Sequence, residues 1–279
     1  MLAYILSFDF LYSVIKISVP LVMGSLAASV VQKGKLINIG IEGIMLISAL
    51  LGVIFADIFH NVWLSFAITI IFGMSFSSIM GLFIIKFKAN DVITGIAFNL
   101  LATGLAGVLL FAYSGDRGVS TSIPTYNIDS DFFIIMSIIA TIVVYILLYK
   151  TNFGYNVDGI SKNEEACRHS NIPVDKIKYI LFMLSGLFSS IGGFYMSCSY
   201  MSKFSEGIIA GRGFIVLASS AMAGNNPVIS FFTASLFGLA KHLADYFQLY
   251  NVSSNLISLV PYVIYLFLIV FYGYKVKRV

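Results

Sequence analysis

Charge is scarce in this chain. Asp, Glu, Lys and Arg make up 11% of its 279 residues, where a soluble domain carries about 25%. Hydrophobic residues make up 59%, and the mean hydropathy is +0.94. So few polar side chains cannot cover so apolar a core in water, which excludes a soluble globular enzyme and a disordered chain. Cysteine is almost absent. Cys167 and Cys198 cannot build a disulfide framework. The three histidines, His60, His169 and His242, are scattered without metal-ligand spacing, so no metal site is expected. Catalytic patterns are missing too. Gly154 and Gly159 have phosphate-loop spacing, but Ile160-Ser161 follows where Lys-Ser/Thr is needed. There is no H-E-x-x-H and no nucleophile elbow. The first residues lack a basic region and an A-x-A site, so no removable signal peptide is expected.

What is present is a series of apolar stretches, each near the 20 or so residues that cross a bilayer. They run over 10–31, 36–56, 62–85, 92–113, 132–149, 178–200, 208–223, 227–248 and 255–273. The expected fold is all-α, a polytopic transmembrane helical bundle of about nine spans forming one domain over 1–279. With the N-terminus outside, the inner segments hold Lys33, Lys35, Lys86, Lys88, Lys150, Lys162, Arg168, Lys176, Lys178, Lys275, Lys277 and Arg278, which is 12 of the 17 basic residues. That asymmetry places the C-terminus in the cytoplasm. Span 208–223 is short and carries Arg212. Its length also fits a re-entrant or broken helix; it is counted as a crossing because otherwise the basic C-terminus falls outside.

Two loops are long. The outer one, 114–131, is polar and turn-rich. The inner one, 150–177, has a charged centre that reads as a short surface helix. Ser161 is its expected cap with Glu164 as capping-box partner, and Asn171-Ile172-Pro173 stops it.

Ionisable groups at membrane depth cost about 2.5–3.5 kcal/mol on insertion scales and mark function by default. Asn38 and Glu42 are four residues apart on one helix face, with Gly40 and Gly43 allowing close approach. The pattern admits both packing at a helix start and contact with a solute. Asn99 lies within span 92–113. Its amide donates and accepts, which suits either a helix–helix hydrogen bond or an uncharged solute. Arg212, between Gly211 and Gly213, reads as an interfacial or helix-capping residue. The expected solute path is Asn38, Glu42, Asn99, Phe98 and Phe214.

Three segments carry a resemblance. Asn38-Ile39-Gly40-Ile41-Glu42-Gly43-Ile44-Met45-Leu46 resembles the NIGxEGxML signature of permease subunits in bacterial ABC importers for nucleosides and simple sugars. Ala89 to Asn99 is similar to their ANxVVxGIALN segment. Ala210-Gly211-Arg212-Gly213-Phe214-Ile215, with Gly224-Asn225-Asn226-Pro227, resembles their AGRGF and NP segments. Order and spacing agree from about residue 20 to residue 245, within the branched-chain amino acid/ribose type of binding-protein-dependent permease.

The resemblance implies a non-enzymatic multi-pass protein of the bacterial plasma membrane, without its own cofactor. It implies an ATP-binding subunit that carries ATP and Mg, an extracytoplasmic binding protein, and a second, longer permease subunit completing a heterodimer. Contact with membrane lipid is expected and nucleic acid is not. The inner loop would hold a coupling helix, Asn163, Glu164, Glu165, Ala166, Cys167 and Arg168, docked on the ATPase. This stretch departs from the family's NPEAAR-like pattern, with Glu164 for proline and Cys167 at an alanine-like position. The competing class, an ion-coupled secondary transporter of a small polar solute, calls for a carboxylate at the bilayer midplane, which only Glu42 and Asp245 approach.

Overall fold

The computed structural model describes residues 7–248. Eleven elements follow in order: α1 Phe8–Lys33, α2 Ile41–Phe59, α3 Val62–Ile85, α4 Asp91–Ser114, α5 Ser130–Lys150, α6 Asn152–Lys162, α7 Glu164–His169, α8 Val174–Tyr195, a π-helical turn Met196–Tyr200, α9 Arg212–Met222 and α10 Pro227–Gln248. Among the described residues the only extended pairing is a single antiparallel bridge, Val119 with Ser205. Seven helical segments are long and apolar enough to cross a membrane.

Short polar side chains set where the helices start. The Asn61 side chain accepts from the amides of Trp63 and Leu64, and that of Asn90 from Val92 and Ile93. Each satisfies donors that the first helical turn leaves open. Gly115 ends α4 in the left-handed region at φ 74°, where a glycine carries no Cβ penalty. Pro227 opens α10, at a position where its missing N–H costs nothing.

Burial sorts the helices. In α1, 89% of the apolar window is buried, and in α8 78%, whereas α4 has 22% and α5 28%. Thus α1, α2 and α8 form the centre, and α3, α4 and α5 keep broad apolar faces outward. Lipid gives no hydrophobic drive between helices, so close packing of small residues holds them. A Cβ on Gly193 would lie 2.1 Å from the carbonyl oxygen of Met45, where α8 crosses α2 backbone to backbone. The neighbour is main chain and cannot turn aside. Gly193→Ala is therefore expected to destabilise the bundle by about 1–3 kcal/mol, read as a lower thermal midpoint in detergent.

Three expectations change. Span 36–56 begins as irregular chain, since residues 36–40 precede α2. Span 208–223 is not a crossing helix. α9 has 11 residues, about 16 Å at 1.5 Å per residue, roughly half of a 30 Å hydrocarbon core. The short inner helix is capped by Asn163, whose side chain accepts from the Ala166 amide. Ser161 instead sits in the last turn of α6 and donates to the Asp158 carbonyl. Asn163 wins because its backbone is extended (φ −151°, ψ 100°) and breaks the helix there. The expected span 255–273 lies outside the described residues.

Candidate functional site

The three segments that carry the resemblance meet at one place deep in the bundle, around residues 37–43. Asn99 stands eight residues into α4, about 12 Å from its start. Its Oδ1 accepts from the Gly43 amide at 2.8 Å, and its Nδ2 donates to the Ile39 carbonyl at 2.9 Å. One amide side chain thus satisfies both a donor and an acceptor that the break before α2 leaves open. Asn38 is fully buried and donates from Nδ2 to Ser185 Oγ of α8 at 2.8 Å. Asp91 accepts from the Ile37 amide at 3.1 Å.

Glu42 meets the third segment. Its Oε1 accepts from the Gly211 amide at 2.8 Å and its Oε2 from the Gly213 amide at 2.5 Å. The carboxylate therefore caps the N-terminus of α9, where free amides and the helix dipole favour negative charge. A Cβ on Gly213 would stand 2.7 Å from Glu42 Cα, so only glycine lets α9 approach α2 this closely. Arg212 serves the same break. Its Nη1 donates to the carbonyls of Ile208 at 2.6 Å and Ile209 at 3.1 Å. Irregular backbone at membrane depth survives only when such groups are satisfied within the protein.

α9 is held along its sides by hydroxyl groups. Ser25 Oγ donates to Ser219 Oγ at 3.1 Å, and Ser29 Oγ lies 2.9 Å from Ser220 Oγ and 2.8 Å from Ser230 Oγ. Ser219 and Thr233 are 2.8 Å apart. Rising numbers on both helices show α9 running parallel to α1. α10 runs antiparallel, since Ser29 meets Ser230 while Ser18 Oγ donates to the Ser235 carbonyl. At the other end, the Ser120 amide donates to the Phe204 carbonyl and the Glu206 amide to the Gly118 carbonyl. Residues 201–211 thus descend as irregular chain from the 115–129 loop, and α9 completes the passage to the opposite end. The hydroxyl lattice was not singled out from the sequence. The Ser25/Ser29 spacing of four residues was its one visible sign.

The remaining path candidates divide. Phe98 is buried, its ring 5.2 Å from that of Phe76 and 6.0 Å from that of Phe83. Phe214 is 54% exposed on the first turn of α9. Asn99→Leu leaves two backbone groups without partners, each worth about 1–3 kcal/mol. It is expected to lower both uptake and the yield of folded protein, read by size-exclusion chromatography in detergent.

At the far end of α5 the chain turns into α6 and α7. Glu164 bonds Arg168 and Lys178, and Arg168 also bonds Asp175, at 2.6–2.8 Å. The Lys178 ammonium, and after it the Arg168 guanidinium, hold the Glu164 carboxyl below its ordinary range. This network is therefore fully charged at neutral pH and weakens only as pH falls through the depressed value. Cys167 is buried beside Gly159, while Asn163, Glu165, Ala166 and Arg168 are exposed. Six helix residues with one buried and a cross-braced flank form a rigid, outward-facing knob.

A family model described as a branched-chain amino acid transport system permease component matches residues 10–271. The chain is 28% identical to the nucleoside ABC transporter permease protein NupC of Lactococcus lactis subsp. cremoris, covering 88% of this chain and 86% of that one. It is 28% identical to the guanosine ABC transporter permease protein NupQ of Bacillus subtilis, over 81% and 78%. It is 27% identical to the putative glucose ABC transporter permease protein TsgC13 of Haloferax volcanii, over 80% and 73%. Among solved structures, PsaBC of Streptococcus pneumoniae in complex with Fab overlays with a TM-score of 0.54 at 20% identity, over 96% of this chain and 95% of that one. A putative metal-chelate type ABC transporter in an inward-facing conformation overlays with the same TM-score at 18% identity, over 92% and 85%. With a family match over most of its length, seven apolar helices and a half-helix anchored at their centre, the chain belongs to the permease components of the branched-chain amino acid transport system family, as a multi-pass, non-enzymatic membrane subunit of an ABC transporter.

Proposed function

We propose that this permease component imports nucleosides or related simple sugars, and that it works beside a second permease subunit, an ATP-binding subunit and an extracytoplasmic binding protein. The named relatives support the solute class, since nucleoside and glucose permeases match over most of the chain. ATP and Mg belong to the ATPase. In this reading the N-terminus is outside. Residues 201–222 count as one crossing, half irregular and half helical, which keeps the basic segments on the cytoplasmic side. α7 is the coupling helix, presenting Asn163, Glu165, Ala166 and Arg168 to the ATPase, with Cys167 and Glu164 seating it from beneath. Phe214 lines the solute path at the start of α9, where an exposed aromatic ring suits a planar base. Asn38, Glu42, Asn99 and Phe98 shape that path by holding its walls.

The single observation that carries the reading is the carboxylate of Glu42 joining the NIGxEG and AGRGF segments through two backbone amides. It also weighs against ion-coupled transport, because both carboxylate oxygens are committed to the fold. The test is uptake of a radiolabelled nucleoside into proteoliposomes. Uptake is expected only when the ATPase, both permeases and the binding protein are present with ATP. Uptake by this chain alone along an ion gradient would overturn the proposal.

A further inference from the structure

The last residue of α1, Lys33, lies between the inner helices and the break that leads to α2. Its Nζ is 3.1 Å from Asp158 Oδ1 of α6 and 4.7 Å from the centre of the Tyr149 ring on α5. The Lys33 side chain is only 19% exposed, whereas Lys162, the second partner of Asp158 at 2.9 Å, is 76% exposed. Next to Lys33, Gly34 is pressed on Leu181 of α8 and faces Val157 of α6. α6 and α9 are joined through the chain that follows α1. The covalent and hydrogen-bonded route between them is short and stiff, running from Asp158 to Lys33, through residues 34–41 and by way of the Glu42 carboxylate to the amides of Gly211 and Gly213. Along it, Ile37, Asn38, Ile39 and Gly43 are each tied to α4 or α8. Where Gly40 passes Met80, an added Cβ would lie 2.6 Å from the sulfur, so the segment is closely packed there.

We infer that the Lys33–Asp158 ion pair is the positioning link through which movement of the α6–α7 unit reaches the anchored end of the half-helix α9. This rests on the proposed role of α7 as the coupling helix. A half-buried charge pair fits the task. It resists separation more than an exposed pair does, because screening by water and salt is weaker there. Asp158 is drawn below its ordinary carboxylate range by hydrogen bonds from Lys162 and Lys33, so its carboxylate is charged at neutral pH. Lys162 lies four residues along α6 from Asp158 and moves with it as part of the same helix, so its bond to Asp158 transmits nothing to α1.

The test uses the whole importer in proteoliposomes and reads solute moved per ATP hydrolysed, a ratio that a purely structural defect in membrane abundance does not move. Lys33→Gln and Asp158→Asn are each expected to lower the ratio by about fivefold or more. The double variant is expected to be no worse than either single, because both remove the same contact. Lys33→Arg is expected to stay within about twofold of the parent, and Lys162→Gln, which removes the exposed partner of the same carboxylate, to leave the ratio unchanged. An unchanged ratio in the single variants, losses that multiply in the double, or an equal loss in Lys162→Gln would each overturn the inference. Absence of ATP-dependent uptake with the parent chain would instead strike the underlying functional reading.

Discussion

Replacing Glu42 with alanine is expected to abolish the anchorage of α9 and with it transport. The substitution strips the acceptors from the amides of Gly211 and Gly213, two donors at the start of α9. A hydrogen bond to a charged group contributes about 1.5–3 kcal/mol, so the pair amounts to about 3–6 kcal/mol, a large share of a total stability of about 5–15 kcal/mol. A shift of 3 kcal/mol in the docking equilibrium of α9 corresponds to about a 100-fold drop in the docked population, and uptake is expected to fall accordingly. Glu42→Gln keeps one acceptor oxygen and is expected to be intermediate. A second readout separates undocking from general unfolding. Val216 packs buried against Gly24 of α1, and a Val216→Cys thiol is expected to react with maleimide only when Glu42 is alanine. Near-normal uptake with a protected thiol would show that the half-helix is held by the serine lattice alone.

Glu165→Arg acts at the other end of the molecule and by a different route. Glu165 is exposed on α7 and takes no part in the Glu164–Arg168–Asp175 bracing. Bundle stability is therefore expected to change by no more than about 0.5 kcal/mol. Reversing a charge at a docking surface sets like charges or unpaired groups against the partner, which costs several kcal/mol, so ATP-driven uptake is expected to drop by about tenfold or more. The ATPase is expected to co-purify poorly with the variant while the permease itself remains monodisperse. Unchanged uptake and ATPase stimulation would remove α7 from the coupling interface.

These two variants show why the site was only half legible from its residues. That Asn38, Glu42, Asn99 and Arg212 stand out followed from their polarity within apolar runs. What they do depends on partners far away in sequence, since Glu42 and Gly211 are 169 positions apart. A carboxylate near a helix start and an arginine between glycines are compatible with a solute site, a proton site or a pair of caps. The answer came from where the backbone breaks. Residues 36–40 and 201–211 are irregular at depth. Glu42, Asn99 and Arg212 turn to the amides or carbonyls that those breaks leave open, while Asn38 bonds the Ser185 hydroxyl. How much of span 208–223 is helical was hidden for the same reason. Its apolar composition continues across Ala210 and Gly211, whose positive φ angles of 48° and 80° keep the helix from starting before Arg212, and hydropathy does not report dihedral angles.

Composition alone determined the medium. With 11% charged residues in a 59% hydrophobic chain, the molecule has to lie in lipid as helices that satisfy their own backbones. The helix boundaries at Asn61, Asn90 and Pro227 were equally local, because capping needs only neighbours within three residues. The meeting of α1, α2, α4, α8 and α9 around residues 37–43 was not local, nor was the difference between the buried centre and the lipid-facing helices. Those arise from which small residues face one another across helices, a pairing that is invisible along one strand of sequence and decided only when the backbones come within van der Waals contact.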